Sequence, residues 1–148
     1  GQQPLPERLP WLMRKMRSME FLDKIFAGKK TTRARGDAAE DLAWAHLRAQ
    51  AKGLQLLARN YRTPGRGGGE IDLIVQEPDG TVVFVEVRSR SNSAYGGAGA
   101  SVSATKQRRI IFAARHYLLR WVAPPPCRFD VVLVEDSVDW IKAAFDAV

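Results

Sequence analysis

The spacing of hydrophobic residues along the chain predicts three helices and five strands. Apolar side chains recur at helical intervals over residues 7–27, from Gly36 to about Lys52, and over residues 103–122. Shorter runs rich in Val, Ile, Leu and Phe predict strands over 54–62, 70–76, 81–90, 128–135 and 138–142. Because helices and strands alternate in this way, the order predicts an α/β or α+β sandwich in which helices flank one mixed β-sheet, and we expect the α/β class.

Polar residues and helix breakers are predicted to mark the ends of two helices. Asp37 stands at the start of the second helix, and Ser103 at the start of the third. Short polar side chains at this position accept hydrogen bonds from the free N–H groups of the first turn. Gly53 is predicted to end the second helix, and the Pro124 to Pro126 segment the third.

The first 30 residues differ from the rest in charge. Residues 1–35 contain nine lysine or arginine residues and three acidic ones, so most of the net charge of +7 lies in the first quarter of the 148-residue chain. We therefore predict a basic amphipathic extension over residues 1–30 and a single domain over residues 31–148. The Met and Leu stripe of the extension favours packing on the domain or on a partner. A basic arm for nucleic acid or membrane is the alternative.

Composition narrows the class of protein further. The positive charge suits a polyanionic partner, either nucleic acid or an anionic membrane surface. Cys127 is the only cysteine, which excludes an internal disulfide and a cysteine-rich zinc site and fits a reducing compartment. No apolar run approaches the roughly 18 residues that span a bilayer, and charged residues interrupt the N-terminal segment, unlike in a secretory signal. We therefore expect a cytoplasmic protein without integral membrane association.

A turn sequence joins two of the predicted strands into a hairpin. Pro78-Asp79-Gly80 has good turn chemistry, and a hairpin symmetric about Asp79 places Asp72 opposite Glu86. Side chains alternate between the two faces of a strand. One face of the first strand is therefore predicted to hold Glu70, Asp72 and Ile74, and the other face Ile71, Leu73 and Val75.

The predicted pairing of Asp72 with Glu86 is chemically unusual. Like charges directly opposite each other destabilise a sheet, and a buried unpaired carboxylate is costly. The pair can share a proton or bind a hard cation through oxygen. A cation such as Mg²⁺ or Mn²⁺ would also bind phosphate and activate water, which favours a site for phosphodiester hydrolysis. The alternative is an ordinary ion pair of Glu86 with Arg88 or with another basic residue at a sheet edge.

Other charged residues could complete such a site. Glu40 borders the apolar side of its helix and could reach the face that carries Asp72, although a solvated helix position is the alternative. Several basic residues flank the two acidic strands and are predicted to contact phosphate. They are Arg59, Arg62, Arg66, Lys106, Arg108 and Arg109. A solvated basic face is the alternative for them.

Several short motifs resemble, in their order, those of the UPF0102 (YraN-like) family over about residues 31–145. They are residues 36–40, 59–62, 69–74, 84–88, 106–109 and 128–132. That family is similar to the restriction-endonuclease-like superfamily and to archaeal Holliday junction resolvases, whose sites follow the PD-(D/E)xK pattern. The resemblance therefore implies a restriction-endonuclease-like core, to which this chain adds an N-terminal helix.

The resemblance also implies roles for individual residues. Asp72, Glu86 and the backbone carbonyl of Val87 match the metal ligands of the pattern, and Glu40 matches its helix glutamate. Arg88 stands where the superfamily usually has lysine. Arginine can orient phosphate but cannot act as a base at ordinary pH.

Lys106 is accordingly the candidate for a lysine that acts at the site together with these residues. The expected activity is that of a Mg²⁺- or Mn²⁺-dependent endonuclease acting on DNA, including branched DNA, with a homodimer as a possible assembly. A catalytically silent nucleic-acid-binding module with the same fold is the alternative.

Overall fold

The computed structural model describes residues 32–89 and 101–147. The helix predicted over residues 7–27 and most of the loop after the third strand lie outside these ranges. Contacts within the chain divide it into two units, Gly1–Asp37 and Ala38–Val148. The predicted boundary between residues 30 and 31 stays a prediction.

Two helices are described, α1 over Thr32–Gln50 and α2 over Ala104–Leu118. The start predicted for α1 at Gly36-Asp37 is wrong, because the helix already includes both residues. A single glycine costs a helix only about 1 kcal/mol relative to alanine, so Gly36 does not break it. The prediction for Ser103 is confirmed, since its side-chain oxygen accepts a hydrogen bond from the Lys106 N–H at 3.1 Å.

The C-terminal end of α2 comes earlier than the pattern predicts. The helix ends at Leu118 rather than at residue 122. The next N–H groups bond to carbonyls three residues back, as Leu119 does to His116 and Trp121 does to Leu118. These tighter turns end a helix. Neither described helix has the length and apolar character needed to cross a membrane.

Within the part of the chain that the structure describes, five strands form a single sheet in the order β1-β2-β3-β4-β5. They are β1 Gln55–Arg62, β2 Glu70–Gln76, β3 Val82–Ser89, β4 Cys127–Val134 and β5 Val138–Phe145. Strands β3 and β4 are parallel, and every other neighbouring pair is antiparallel. A parallel pair needs a long crossover connection, and α2 lies within it. The predicted α/β fold with one mixed sheet is confirmed, and it agrees with a restriction-endonuclease-like core.

Each face of the sheet carries its own hydrophobic core. On one face Ala43 and Leu47 of α1 pack in a buried cluster with Leu73. On the other face Ile110 of α2 packs with Phe84 in a second cluster. Burying one such large side chain contributes about 1.5–3 kcal/mol. The two helices thereby fix the central strands β2 and β3 from both sides, and these strands carry the candidate site.

A buried carboxylate ties β5 to β4. Asp130 is fully buried and accepts hydrogen bonds from the Arg128 guanidinium at 2.9 Å and 3.1 Å. It also accepts one from the Trp140 indole at 2.8 Å and one from the Ala143 backbone N–H at 2.9 Å. Every acceptor direction of the carboxylate is therefore used within the fold, which gives Asp130 a structural role.

Candidate metal centre and the adjacent basic cleft

Asp72 lies where β2 and β3 separate. The backbone pairs of these strands run from Gln76 with Val82 to Leu73 with Val85, and this register is the one that a hairpin symmetric about Asp79 predicts. At the next position the Asp72 carboxylate accepts a hydrogen bond from the backbone N–H of Val87 at 2.7 Å. A side-chain oxygen therefore satisfies an N–H group of β3 where the ladder to β2 ends.

The regular alternation of side chains is broken at the same point. Ile71 packs in the same core cluster as Ile74, so the prediction that these two side chains occupy opposite faces is wrong. On the neighbouring strand β1, Arg59 pairs with Leu73 and Tyr61 pairs with Ile71. The residue between them is Asn60, which has a φ of 54°. Asparagine is among the few side chains that tolerate this left-handed region. We attribute the break at Asp72 to this local irregularity of the two strands.

Glu86 lies on β3 next to Asp72 and is only 8% exposed. Its carboxylate forms an ion pair with the Lys106 ammonium of α2, at 3.6 Å. Burial, and then the nearby charge of Glu86, raise the pKa of Asp72 to about 7. Burial also raises the pKa of Glu86, and Lys106 opposes this effect. Both carboxylates are therefore costly to ionise, which is the condition that a divalent cation relieves.

The raised pKa of Asp72 predicts a pH dependence of stability in the absence of divalent cations. Its folded-state pKa, about 7, lies above the ordinary value of 3.8 for an aspartate. The associated stability is present below the unfolded value and is lost as the pH rises through the folded value. We expect the free energy of unfolding to fall by about 1–3 kcal/mol between about pH 5 and pH 8.

Urea unfolding in EDTA at a series of pH values measures this effect. The Asp72→Asn variant is the control, since its side chain cannot titrate. An equally steep decline in wild type and variant would contradict the assignment of the pH dependence to Asp72.

Glu40 lies on α1, and it is 6% exposed. The alternative of a solvated helix position is therefore wrong. Its carboxylate accepts a hydrogen bond from Arg59 Nε at 3.2 Å, and Arg59 also lies 2.7 Å from Asp41. Burial, and then the charge of Asp72, raise the pKa of Glu40. Glu40 is thus close enough to Asp72 for an electrostatic effect, but the contact described for it is with Arg59.

The carboxylates do not form a three-acid cluster. Within residues 32–89 and 101–147, no group of three or more His, Cys, Asp or Glu side chains is placed to hold a metal ion. Asp72 and Glu86 come together, and Glu40 does not complete the set. Mg²⁺ is commonly bound by one or two carboxylates, with water and substrate phosphate as further ligands. The pair therefore fits the donor chemistry of Mg²⁺ or Mn²⁺.

The two basic side chains predicted at the site, Arg88 and Lys106, have different partners. Arg88 Nη1 donates a hydrogen bond to the Ser101 carbonyl at 2.9 Å. Lys106 instead forms the ion pair with Glu86, so the alternative of an ion pair for Glu86 is observed with another basic residue and not with Arg88. The lysine next to the acidic pair thus comes from α2 and not from the strand that carries Glu86.

A cleft of about 360 Å³ opens beside Lys106. It is lined by Arg62, Thr63, Gly65, Gly67, Gly68, Gly69, Glu70, Lys106 and Arg109. Gly69 packs so closely on α2 that an added Cβ would lie 1.9 Å from the Arg109 carbonyl oxygen. The Gly69 N–H donates to Thr63 Oγ1 at 2.8 Å. Glycine is therefore required at position 69 for the loop to lie against the helix.

The structure separates the predicted phosphate contacts into two groups. Arg62, Lys106 and Arg109 line the cleft, and Arg66 lies on the exposed loop beside it. Arg59 is held by acidic residues of α1. Arg108 donates a hydrogen bond to Thr105 at 3.2 Å. The sequence pattern did not single out Thr63 or Asn60, although a polar residue at the border of a Gly-rich loop was a usable signal for Thr63.

Comparison with known proteins shows the family of the chain. The sequence model described as "Uncharacterised protein family UPF0102" matches residues 39–134. A UPF0102 protein of Paracidovorax citrulli (strain AAC00-1) is 69% identical over 136 residues, which covers 87% of this chain and 99% of that protein. A UPF0102 protein of Verminephrobacter eiseniae (strain EF01-2) is 72% identical over 119 residues, which covers 79% and 81%. The chain belongs to the UPF0102 family.

Proposed function

We propose that this protein is a nuclease that cleaves DNA, including branched DNA, with the help of Mg²⁺ or Mn²⁺ held by Asp72 and Glu86. The observation that carries the proposal is that the half-buried Asp72 carboxylate and the buried Glu86 carboxylate meet where β2 and β3 separate. Each is costly to ionise there. A divalent cation offsets that cost. If the two positions served stability alone, neutral residues there would give a more stable fold than two adjacent acids.

The residues around the pair suit phosphodiester hydrolysis. When bound, the cation would polarise a phosphate oxygen and make water a stronger nucleophile. The backbone N–H of Val87 holds the Asp72 carboxylate in position, and the Val87 carbonyl is a further candidate ligand. Glu40 acts on the pair through its charge.

Lys106 is the basic side chain that assists this reaction. Its ammonium is 3.6 Å from Glu86, and Lys106 is also among the residues that line the cleft. It can therefore stabilise negative charge that develops on a phosphate bound between the two. Arg88 retains a positive charge near Glu86 and helps to orient the phosphate.

A catalytically silent nucleic-acid-binding module is the second candidate. Arg88 favours it, because arginine replaces the lysine usual in the PD-(D/E)xK pattern and bonds to the Ser101 carbonyl. This candidate predicts salt-dependent DNA binding without a metal requirement and without cleavage. Cleavage gained by Arg88→Lys, in a protein that otherwise shows none, would support it.

Metal-dependent cleavage of a panel of duplex and branched DNA tests the proposal. Wild-type protein is expected to cleave in Mg²⁺ or Mn²⁺ and not in EDTA. Glu86→Gln is expected to lose about 10²-fold or more, since a metal contributes several kcal/mol to the transition state. The matched control is Asp136→Asn, an exposed acidic residue between β4 and β5. Equal cleavage by wild type and Glu86→Gln would refute the site.

A further inference from the structure

The geometry points to a subsite for the sugar-phosphate backbone of a nucleic-acid strand in the cleft lined by Arg62, Lys106 and Arg109. The subsite lies next to the acidic pair, and this inference rests on the proposed function. The residues that line the cleft do not include Asp72 or Glu86.

The charges that line the cleft are available to a ligand. Within residues 32–89 and 101–147, Arg109 has no acidic partner, and its side chain is exposed. The ion pair of Arg62 with Glu70 is long, at 3.7 Å, and both side chains are well exposed. Exposed pairs of this kind contribute about 0–1 kcal/mol. A phosphate therefore meets Arg62 and Arg109 at little cost in broken contacts, and Lys106, which also pairs with Glu86, is a third lining cation against one lining carboxylate.

The chemistry of the wall favours phosphate and sugar over bases. Four of the nine lining residues are glycines, and none is aromatic. At Gly65 and Gly67 an added Cβ would have no atom within 4 Å, so open space borders the loop backbone there. A nucleic-acid strand can approach such a backbone closely. Stacking of its bases would need aromatic side chains, which the lining residues do not include. The subsite is therefore expected to bind without regard to base sequence.

Lys106 connects the cleft with the acidic pair. Lys106 is one of the residues that line the cleft, and its ammonium forms the ion pair with Glu86. The cleft therefore lies next to the acidic pair. We infer that the cleft holds a phosphate that is not cleaved and thereby positions its neighbour for hydrolysis.

Equilibrium binding of labelled oligonucleotides in EDTA tests the subsite without cleavage. Arg109→Ala is expected to weaken binding about tenfold, as expected for loss of one charged hydrogen bond. It should also reduce the slope of log K against log salt by roughly 1. Arg115→Ala is the matched control, because Arg115 is an exposed arginine of the same helix that does not line the cleft. Arg109→Lys should retain most of the affinity.

The ligand arms are duplex DNA, single-stranded DNA and RNA, each in two unrelated sequences. A loss that is equal for both sequences supports backbone binding, and the polymer that shows the larger loss identifies the strand type. A loss confined to one sequence, or equal binding by Arg109→Ala and Arg115→Ala, overturns the subsite. Unchanged thermal unfolding of the variants establishes that the comparison concerns binding.

The same experiments separate this inference from the proposed function. If Arg109→Ala loses affinity while wild type never cleaves in Mg²⁺ or Mn²⁺, the subsite stands and the nuclease proposal fails. If wild type cleaves and Arg109→Ala binds normally, the nuclease proposal stands and the subsite fails.

Discussion

Replacing Asp72 with asparagine is expected to abolish metal-dependent cleavage and, at the same time, to stabilise the fold. Loss of a metal ligand should reduce cleavage about 10³-fold, because the metal contributes several kcal/mol and each 1.36 kcal/mol is a factor of ten. The stability gain arises because the pKa of Asp72 is raised to about 7, chiefly by burial and then by Glu86. Above that pH, ionised Asp72 destabilises the fold, and asparagine removes the charge while retaining an acceptor for the Val87 N–H.

The two effects are measured on the same preparation at about pH 8, where Asp72 is mainly ionised. Urea unfolding in EDTA should show a gain of about 1–3 kcal/mol, and cleavage assays in Mg²⁺ or Mn²⁺ should show the loss of activity. Asp139→Asn is the control, since Asp139 is an exposed carboxylate in β5. A variant that loses both activity and stability would mean that Asp72 is needed for folding and not specifically for the metal.

Replacing Asp130 with alanine is expected to destabilise the protein by about 3–5 kcal/mol, the usual cost of breaking a buried ion pair by removing one partner. Arg128 would lose the carboxylate that holds it and retain its contact with Glu77 at 3.0 Å. The Trp140 indole and the Ala143 N–H would lose their acceptor. This loss should loosen β5, because Asp130 joins that strand to β4.

Urea unfolding followed by circular dichroism measures the loss, with Asp139→Ala as the matched control on the exposed side of β5. Surface substitutions of that kind stay within about 0.5 kcal/mol. Hydrogen exchange should show faster opening of β5 in Asp130→Ala than in the control. Similar stabilities for the two variants would contradict a structural role for the Asp130 hydrogen bonds.

Local patterns in the sequence were sufficient to predict the described helices and strands and part of the strand register. The turn at Pro78-Asp79-Gly80 set the pairing of β2 with β3, because a short symmetric turn leaves few alternative registers. Ser103 marked the start of α2 because a helix terminus needs a nearby acceptor. Alternation failed at Ile71, where the strand departs from regular geometry beside Asp72.

The sequence by itself determined that Asp72 and Glu86 lie on adjoining strands, since the turn and the strand period are local properties of the chain. Only the tertiary structure decided which basic residues meet them. Lys106 reaches Glu86 because α2 packs across the sheet, and Arg59 is held on the α1 side by Glu40. The cleft likewise exists only because Gly69 lets its loop lie against α2. These contacts join residues far apart in the chain, so helix packing and burial decide them, and no local pattern encodes them.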